Sequence, residues 1–197
     1  EILDKQILCN SNIAVEGLSH QYSMGVGRSL LDSRGSDVRT RATAVAAAGS
    51  DARMGGSDLP VIINSGSGNQ GICARLPVVS FAEENHNTDE ELIRALTLSH
   101  LTAIYIKQSL GTLSALCGCV VASTGSSCGI TYLMGGNYQQ ICYAVKNMIA
   151  NLTGMICDGA KPSCSLKLTS GVSTAVFSAI LAMEQKSVTS VEGIIDD

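Results

Sequence analysis

Hydrophobic and polar positions repeat with a helical period along most of this 197-residue chain. The first such stretch covers Ile2 to Gly17, and a Gly-bearing turn from Ser23 to Gly27 follows. Ser36 is placed to cap a second helix through Val38, Ala42, Val45 and Ala48, whose Ala-rich body ends near Ser50 to Gly56. Leu92, Ala95, Leu96, Ser99, Ala103 and Ile106 share one face of a helix from Glu90 to Leu110, with Thr88 and Glu91 spaced as a capping box. Leu113 to Val121 predicts a buried helix that breaks at Gly125, and Cys128 to Met134 resumes the apolar run. Asn137 caps a helix to about Leu152, and a last helix starts at Ser170 and runs through Met183. Only Leu59 to Ile63 reads as extended. The predicted fold is therefore mainly α: a compact bundle of helices rich in small residues, forming a single domain over residues 1–197 with few or no strands.

Composition sharpens this picture. Hydrophobic residues make up 45% and charged residues 15%, and aromatics are only 4%, which suits helices packed backbone to backbone. A net charge of −4 gives no reason to expect nucleic acid as a partner. No charged residue lies between Lys107 and Lys146, but Ser123 to Ser127 and Gly135-Gly136 interrupt that run. Buried central helices explain it better than a membrane span does. The chain begins at Glu1 within what reads as a helix interior, so it is expected to be a stretch of a longer one. Eight cysteines without a secretory signal point to a reducing, cytoplasmic setting and to metal or catalytic thiols.

Two stretches carry candidate chemistry. In Gly154-Met155-Ile156-Cys157-Asp158-Gly159-Ala160-Lys161-Pro162-Ser163-Cys164, two thiols sit on a Gly/Pro-broken loop between helices, where they can converge on a soft metal centre. Ordinary buried cysteines are the competing reading. In Asn64-Ser65-Gly66-Ser67-Gly68-Asn69-Gln70-Gly71, clustered glycines ahead of a helix offer converging N–H groups to an anion such as an amino-acid carboxylate. Gly66, Gly68 and Gly71 also match the dinucleotide-binding pattern, with Glu90 and Glu91 at a suitable distance. The missing second strand, and Pro77 where the helix should run, count against that reading. Asp51 and Arg53 read either as a solvated ion pair or, for Arg53, as a partner for a substrate carboxylate. His100 reads as structural.

Ser65 to Gly71, Leu113-Ser114-Ala115-Leu116-Cys117-Gly118 and Gly154 to Lys161 occur together, in this order, in one group of proteins. The chain resembles the C-terminal half of the L-serine dehydratase α-chain-like proteins, and within them the L-cysteine desulfidase branch. The resemblance implies a [4Fe–4S] cluster held by Cys117, Cys157 and Cys164, with Cys119 competing with Cys117 as first ligand; two positions on along a helix, Cys119 is expected to point away. It implies that Ser65, Gly66, Ser67, Gly68, Asn69 and Gln70 bind the substrate. Asp158 supports a ligand or caps the loop, while Cys9, Cys73, Cys128 and Cys142 match no ligand position. The implied reaction is an iron–sulfur-dependent α,β-elimination from L-cysteine or L-serine without pyridoxal phosphate. The base is expected in an N-terminal region that this chain lacks, so the catalytic residue is unassigned and activity of this stretch alone is left open. Its expected partners are a small amino acid and either a second copy or that N-terminal region, with neither nucleic acid nor membrane. A non-enzymatic amino-acid-binding or regulatory module is the alternative.

Overall fold

The computed structural model describes residues 2–35, 37–111 and 114–195. Among them are eight helices: α1 (Ile2–Ser19), α2 (Val26–Arg34), α3 (Val38–Met54), α4 (Gly68–Glu84), α5 (Asp89–Leu110), α6 (Gly118–Leu133), α7 (Tyr138–Leu152) and α8 (Cys164–Met183). The described residues contain no strand, only two isolated antiparallel bridges, Asn64 with Ser67 and Leu116 with Ile156. The fold is all-α, as the sequence pattern predicts.

Caps fix several helix starts where the sequence places them. Thr88 and Glu91 form a reciprocal capping box at α5, and Asn137 and Gln140 form another at α7. The predicted cap Ser36 and the predicted helix start Leu113 lie outside the described residues; Asp37 caps α3, accepting from the N–H groups of Arg39 and Thr40. The sequence reading missed α2. Its first turn is held from a distance, because the buried carboxylate of Asp51 accepts from Gly27 N at 3.0 Å. Asp51 therefore does not pair with Arg53, and burial pushes its carboxyl pKa up.

α6 is the centre of the bundle and packs against α4, α5, α7 and α8. Every residue of α6 except Gly118 and Tyr132 is buried. Gly125 does not break it. A Cβ at this position would stand 2.3 Å from the carbonyl oxygen of Ser99, so glycine is what lets α5 and α6 touch backbone to backbone. The turn predicted at Gly125 is instead the closest approach of two continuous helices.

Pro77 likewise sits inside α4 without ending it. Proline offers no N–H to the carbonyl of Cys73 one turn back. Ser126 of α6 fills that gap, its Oγ donating to Cys73 O at 2.9 Å, and Ser99 of α5 donates to the neighbouring Ala74 O at 2.6 Å. The uncharged but polar run between Lys107 and Lys146 is satisfied in two ways: Ser126 and Ser127 donate to neighbouring helices, and Ser123, Thr124 and Thr131 to carbonyls of α6 itself. α8 starts at Cys164, well before the predicted Ser170. Among the described helices it alone is long and apolar enough to cross a membrane, and 44% of its apolar window is buried inside the fold. It packs on α3, α6 and α7.

Candidate functional site

The run from Leu59 to Ile63 forms no strand, because a side chain takes its hydrogen bonds. Asn10, buried on α1, donates from Nδ2 to Ile62 O at 3.1 Å and accepts from Ile62 N at 2.8 Å. The next residues close a tight turn, in which Asn64 N donates to Ser67 O and Ser67 N donates back to Asn64 O. Its central residues, Ser65 and Gly66, have φ of 47° and 81°. Glycine adopts that conformation freely, whereas Ser65 is held there by its surroundings. Ser67 then caps α4, accepting from Gln70 N at 3.4 Å. The predicted Gly-rich loop is thus a turn followed directly by a helix N-terminus.

On the opposite wall, Ser114–Cys117 runs beside Met155–Cys157. Cys117 N donates to Met155 O at 3.0 Å and Cys157 N donates to Ala115 O at 2.8 Å. This short antiparallel contact brings Cys117 and Cys157 together although the whole α6–α7 hairpin lies between them. Cys117 stands at the N-cap of α6 with extended backbone, and Cys164 is the first residue of α8. The Cys117 thiol therefore sits at the positive end of a helix, which favours thiolate there.

One cavity of about 390 Å3 joins the two walls. Ser67, Asn69 and Gln70 line it together with Cys117, Cys157 and Cys164. Gln70 packs on Gly118, where a Cβ would fall 2.7 Å from its side chain. Buried Gln70 Oε1 has no hydrogen-bond partner. The other predicted substrate residues lie elsewhere. Ser65 lines a neighbouring recess of about 270 Å3. Gly66 is at the tip of the turn, and Gly68 is covered by Arg53, whose Nε would lie 2.3 Å from a Cβ there. Arg53 Nη1 donates to Asn69 Oδ1 at 3.2 Å, so it orients a cavity residue and does not line the cavity itself.

Cys119 corrects a helical expectation. Residues two apart on a helix do not face each other, but Cys117 precedes the helix. The Cys119 thiol lines the same cavity and hydrogen-bonds to the Cys117 sulfur. This bond lowers the pKa of Cys117, as do the N–H groups of Cys119 and Val120 and the charge of Lys167, against an opposing effect of burial. Cys119, as proton donor and more deeply buried, is raised well above the ordinary thiol value. Cys73, which donates weakly from Sγ to Cys119 O at 3.7 Å, is also raised by burial. Among the described residues, no three His, Cys, Asp or Glu side chains converge to hold a single metal ion.

Asp158 lies on the loop between Cys157 and Cys164. Its carboxylate takes Lys161 Nζ at 2.8 Å and Lys167 Nζ at 2.5 Å, and the two lysines hold its pKa well below the usual carboxylate range. Lys167 also donates to Ile156 O at 2.9 Å, so the exposed Asp158–Lys167 pair straps the loop to α8. Behind the turn, Ser65 Oγ donates to Asn64 Oδ1 at 2.8 Å, and Asn64 Nδ2 lies 2.7 Å from His100 Nδ1. His100 Nε2 lies 2.5 Å from Nη2 of buried Arg75, which also meets Gln6 of α1. Burial, and then the Arg75 charge, lower the His100 pKa to about 3. His100 is a neutral strut beneath the turn and does not line the cavity.

Sequence reading missed Lys107, Lys167 and the orientation of Cys119. Nothing in local spacing marks Lys107, which reaches the cavity from the last turn of α5. A family profile described as "Serine dehydratase alpha chain" matches residues 1–197. A UPF0597 protein of Phocaeicola vulgatus is 67% identical over 194 residues, covering 95% of this chain and 45% of the relative. UPF0597 proteins of Bacteroides thetaiotaomicron and Lachnoclostridium phytofermentans are 63% and 50% identical, each covering 100% of this chain and 47% of the relative. The chain thus spans a little under half the length of the curated relatives it matches. No solved structure matches it at a significant level.

Proposed function

Because the chain belongs to the serine dehydratase α-chain family, we propose that it is the cluster- and substrate-binding part of a cytoplasmic iron–sulfur amino-acid lyase. The reaction is α,β-elimination from L-cysteine, giving pyruvate, ammonia and sulfide, or from L-serine, giving pyruvate and ammonia. One observation carries this reading: Cys117, Cys157 and Cys164 line the same cavity as Ser67, Asn69 and Gln70. A small amino acid could then reach the thiols with its β-substituent while its α-carbon groups meet α4.

The donor set fits a cluster better than a single ion. The cavity offers four thiols, those of Cys117, Cys119, Cys157 and Cys164, with no histidine and no carboxylate, and soft thiolate sets select iron–sulfur centres. A cubane spreads its thiolates over a wider shell than one ion does, which agrees with sulfurs that share a cavity without closing on a point. Cys117, Cys157 and Cys164 would hold it, leaving one iron open as a Lewis acid toward the leaving thiol or hydroxyl. The Cys119 thiol, the N-terminus of α6 and Lys167 lower the Cys117 pKa while that of Cys119 is raised, which favours Cys117 over Cys119 as ligand. Asp158 holds the ligand loop against α8. The free N–H groups at the start of α4 take the carboxylate. The cavity lining holds neither histidine nor carboxylate, and no base for the α-proton is assigned among the described residues.

The test is anaerobic reconstitution of the full chain with iron and sulfide, followed by iron counting and pyruvate release. Cys117→Ser, Cys157→Ser and Cys164→Ser should each lose the visible absorption of the cluster, and Cys119→Ser should keep it. A cluster that survives all three ligand substitutions sinks the iron–sulfur reading. A wild type that binds L-cysteine but assembles no cluster favours the amino-acid-binding module.

A further inference from the structure

We infer that Lys107 is the cationic anchor for the substrate carboxylate, so that the cavity selects α-amino acids whose carboxylate is free. The inference rests on the amino-acid reading above and assigns a residue to it.

Lys107 lies in the last turn of α5, where a cation ordinarily complements the helix dipole. Two facts set it apart. Its half-buried side chain lines the cavity at the boundary with the recess that holds Ser65. Among the described residues its ammonium also has no carboxylate partner, and no acidic side chain lines the cavity. The other lysines near the site are occupied: Lys161 and Lys167 are both paired with Asp158. A positive charge held half out of water with no counter-charge is the natural seat of an anionic ligand group.

The opposite demand stands on the same cavity. Gln70 is 6% exposed, and its Oε1 accepts no hydrogen bond. A buried amide oxygen without a donor costs free energy until a ligand supplies one. An unpaired cation and an unpaired acceptor together describe a zwitterion, with carboxylate toward Lys107 and the α4 N-terminus and ammonium toward Gln70. The cavity, about 390 Å3, is at the low end of the roughly 300–1,000 Å3 range of small-molecule pockets. That size suits a free amino acid.

Equilibrium titration of the full chain, cluster-free and anaerobic, with L-serine and with L-serinamide tests this. The amide keeps the ammonium and the hydroxyl and removes only the carboxylate charge. Wild type should prefer L-serine. Lys107→Gln should lose about tenfold or more in L-serine affinity, the order expected for one charge-assisted hydrogen bond, while its L-serinamide affinity stays unchanged. Lys107→Arg should restore most of the preference, which a merely structural lysine would not require. A Lys107→Gln protein that keeps the wild-type preference for L-serine over L-serinamide overturns the anchor while leaving the lyase reading intact. A wild type that binds neither L-serine nor L-cysteine overturns both.

Discussion

Beyond its first turn, α6 buries a run of uncharged polar groups and partners each Ser and Thr hydroxyl in it. Ser123 and Thr124 donate to Val120 O, Ser126 to Cys73 O, Ser127 to Ala175 O and Thr131 to Ser127 O. At its first turn the same helix faces a cavity where Gln70 Oε1 is unpartnered, Cys157 is exposed and Cys117 accepts from the Cys119 thiol. Both ends are rich in small residues and Cys, so composition does not distinguish them. Hydrogen-bond satisfaction does: a closed polar network marks architecture, and an open one marks a place where a ligand completes it.

The largest expected effects come from glycines at the two ends. Gly125→Val should cost about 3 kcal/mol in urea unfolding, because its Cβ meets α5 backbone 2.3 Å away. Gly118→Ala meets only the flexible end of Gln70 and should change stability by less than about 1 kcal/mol, with the damage appearing as weaker amino-acid binding. Equal destabilisation by the two would break the contrast.

A smaller effect sharpens it. Ser126→Ala removes the donor to Cys73 O and should cost about 1–3 kcal/mol, the price of a buried carbonyl left bare. In a Pro77→Ala background the helix itself can supply an N–H to that carbonyl. The cost of Ser126→Ala should then shrink, and a double-mutant cycle measures the difference. A cycle with no coupling would mean that Ser126 does not serve the proline gap.

The mildest effect is a pH slope. The His100 pKa is about 3 in the folded protein against an ordinary value of 6.5. Between these values the unfolded chain binds a proton that the folded chain does not, so stability present at neutral pH is lost as pH falls from 6.5 toward 3. Urea unfolding at pH 7 and pH 5 should show this loss in wild type, and His100→Gln should flatten it. Equal slopes would place the pH dependence elsewhere.

Helix periodicity and caps were legible in sequence wherever signals were local, as at Thr88–Glu91 and Asn137–Gln140. Local rules failed where tertiary contact overrode them. Gly125 and Pro77 read as breakers, but partners on neighbouring helices compensate for both. Cys157, Cys164 and the stretch from Asn64 to Gly71 stood out from their loop composition and Cys117 through the resemblance, and the structure lines one cavity with the three cysteines, Ser67, Asn69 and Gln70. Cys119 was misjudged because helical spacing was applied to a residue that precedes the helix. Lys107 and the Arg75–His100–Asn64 chain were invisible, since each depends on which helices meet.

The contact between Leu116 and Ile156 also has a consequence in time. It is a clasp at the neck of the α6–α7 hairpin and cannot fasten until both helices have docked. Closing a long loop costs chain entropy, and each doubling of its length adds about 0.6 kcal/mol. The thiols of Cys117 and Cys157 therefore come alongside each other late in folding. The clasp is also made from only a few backbone bonds near a loop end, the kind of element that opens without global unfolding. Hydrogen exchange at the Cys117 and Cys157 N–H groups should therefore be faster than at the buried middle of α6.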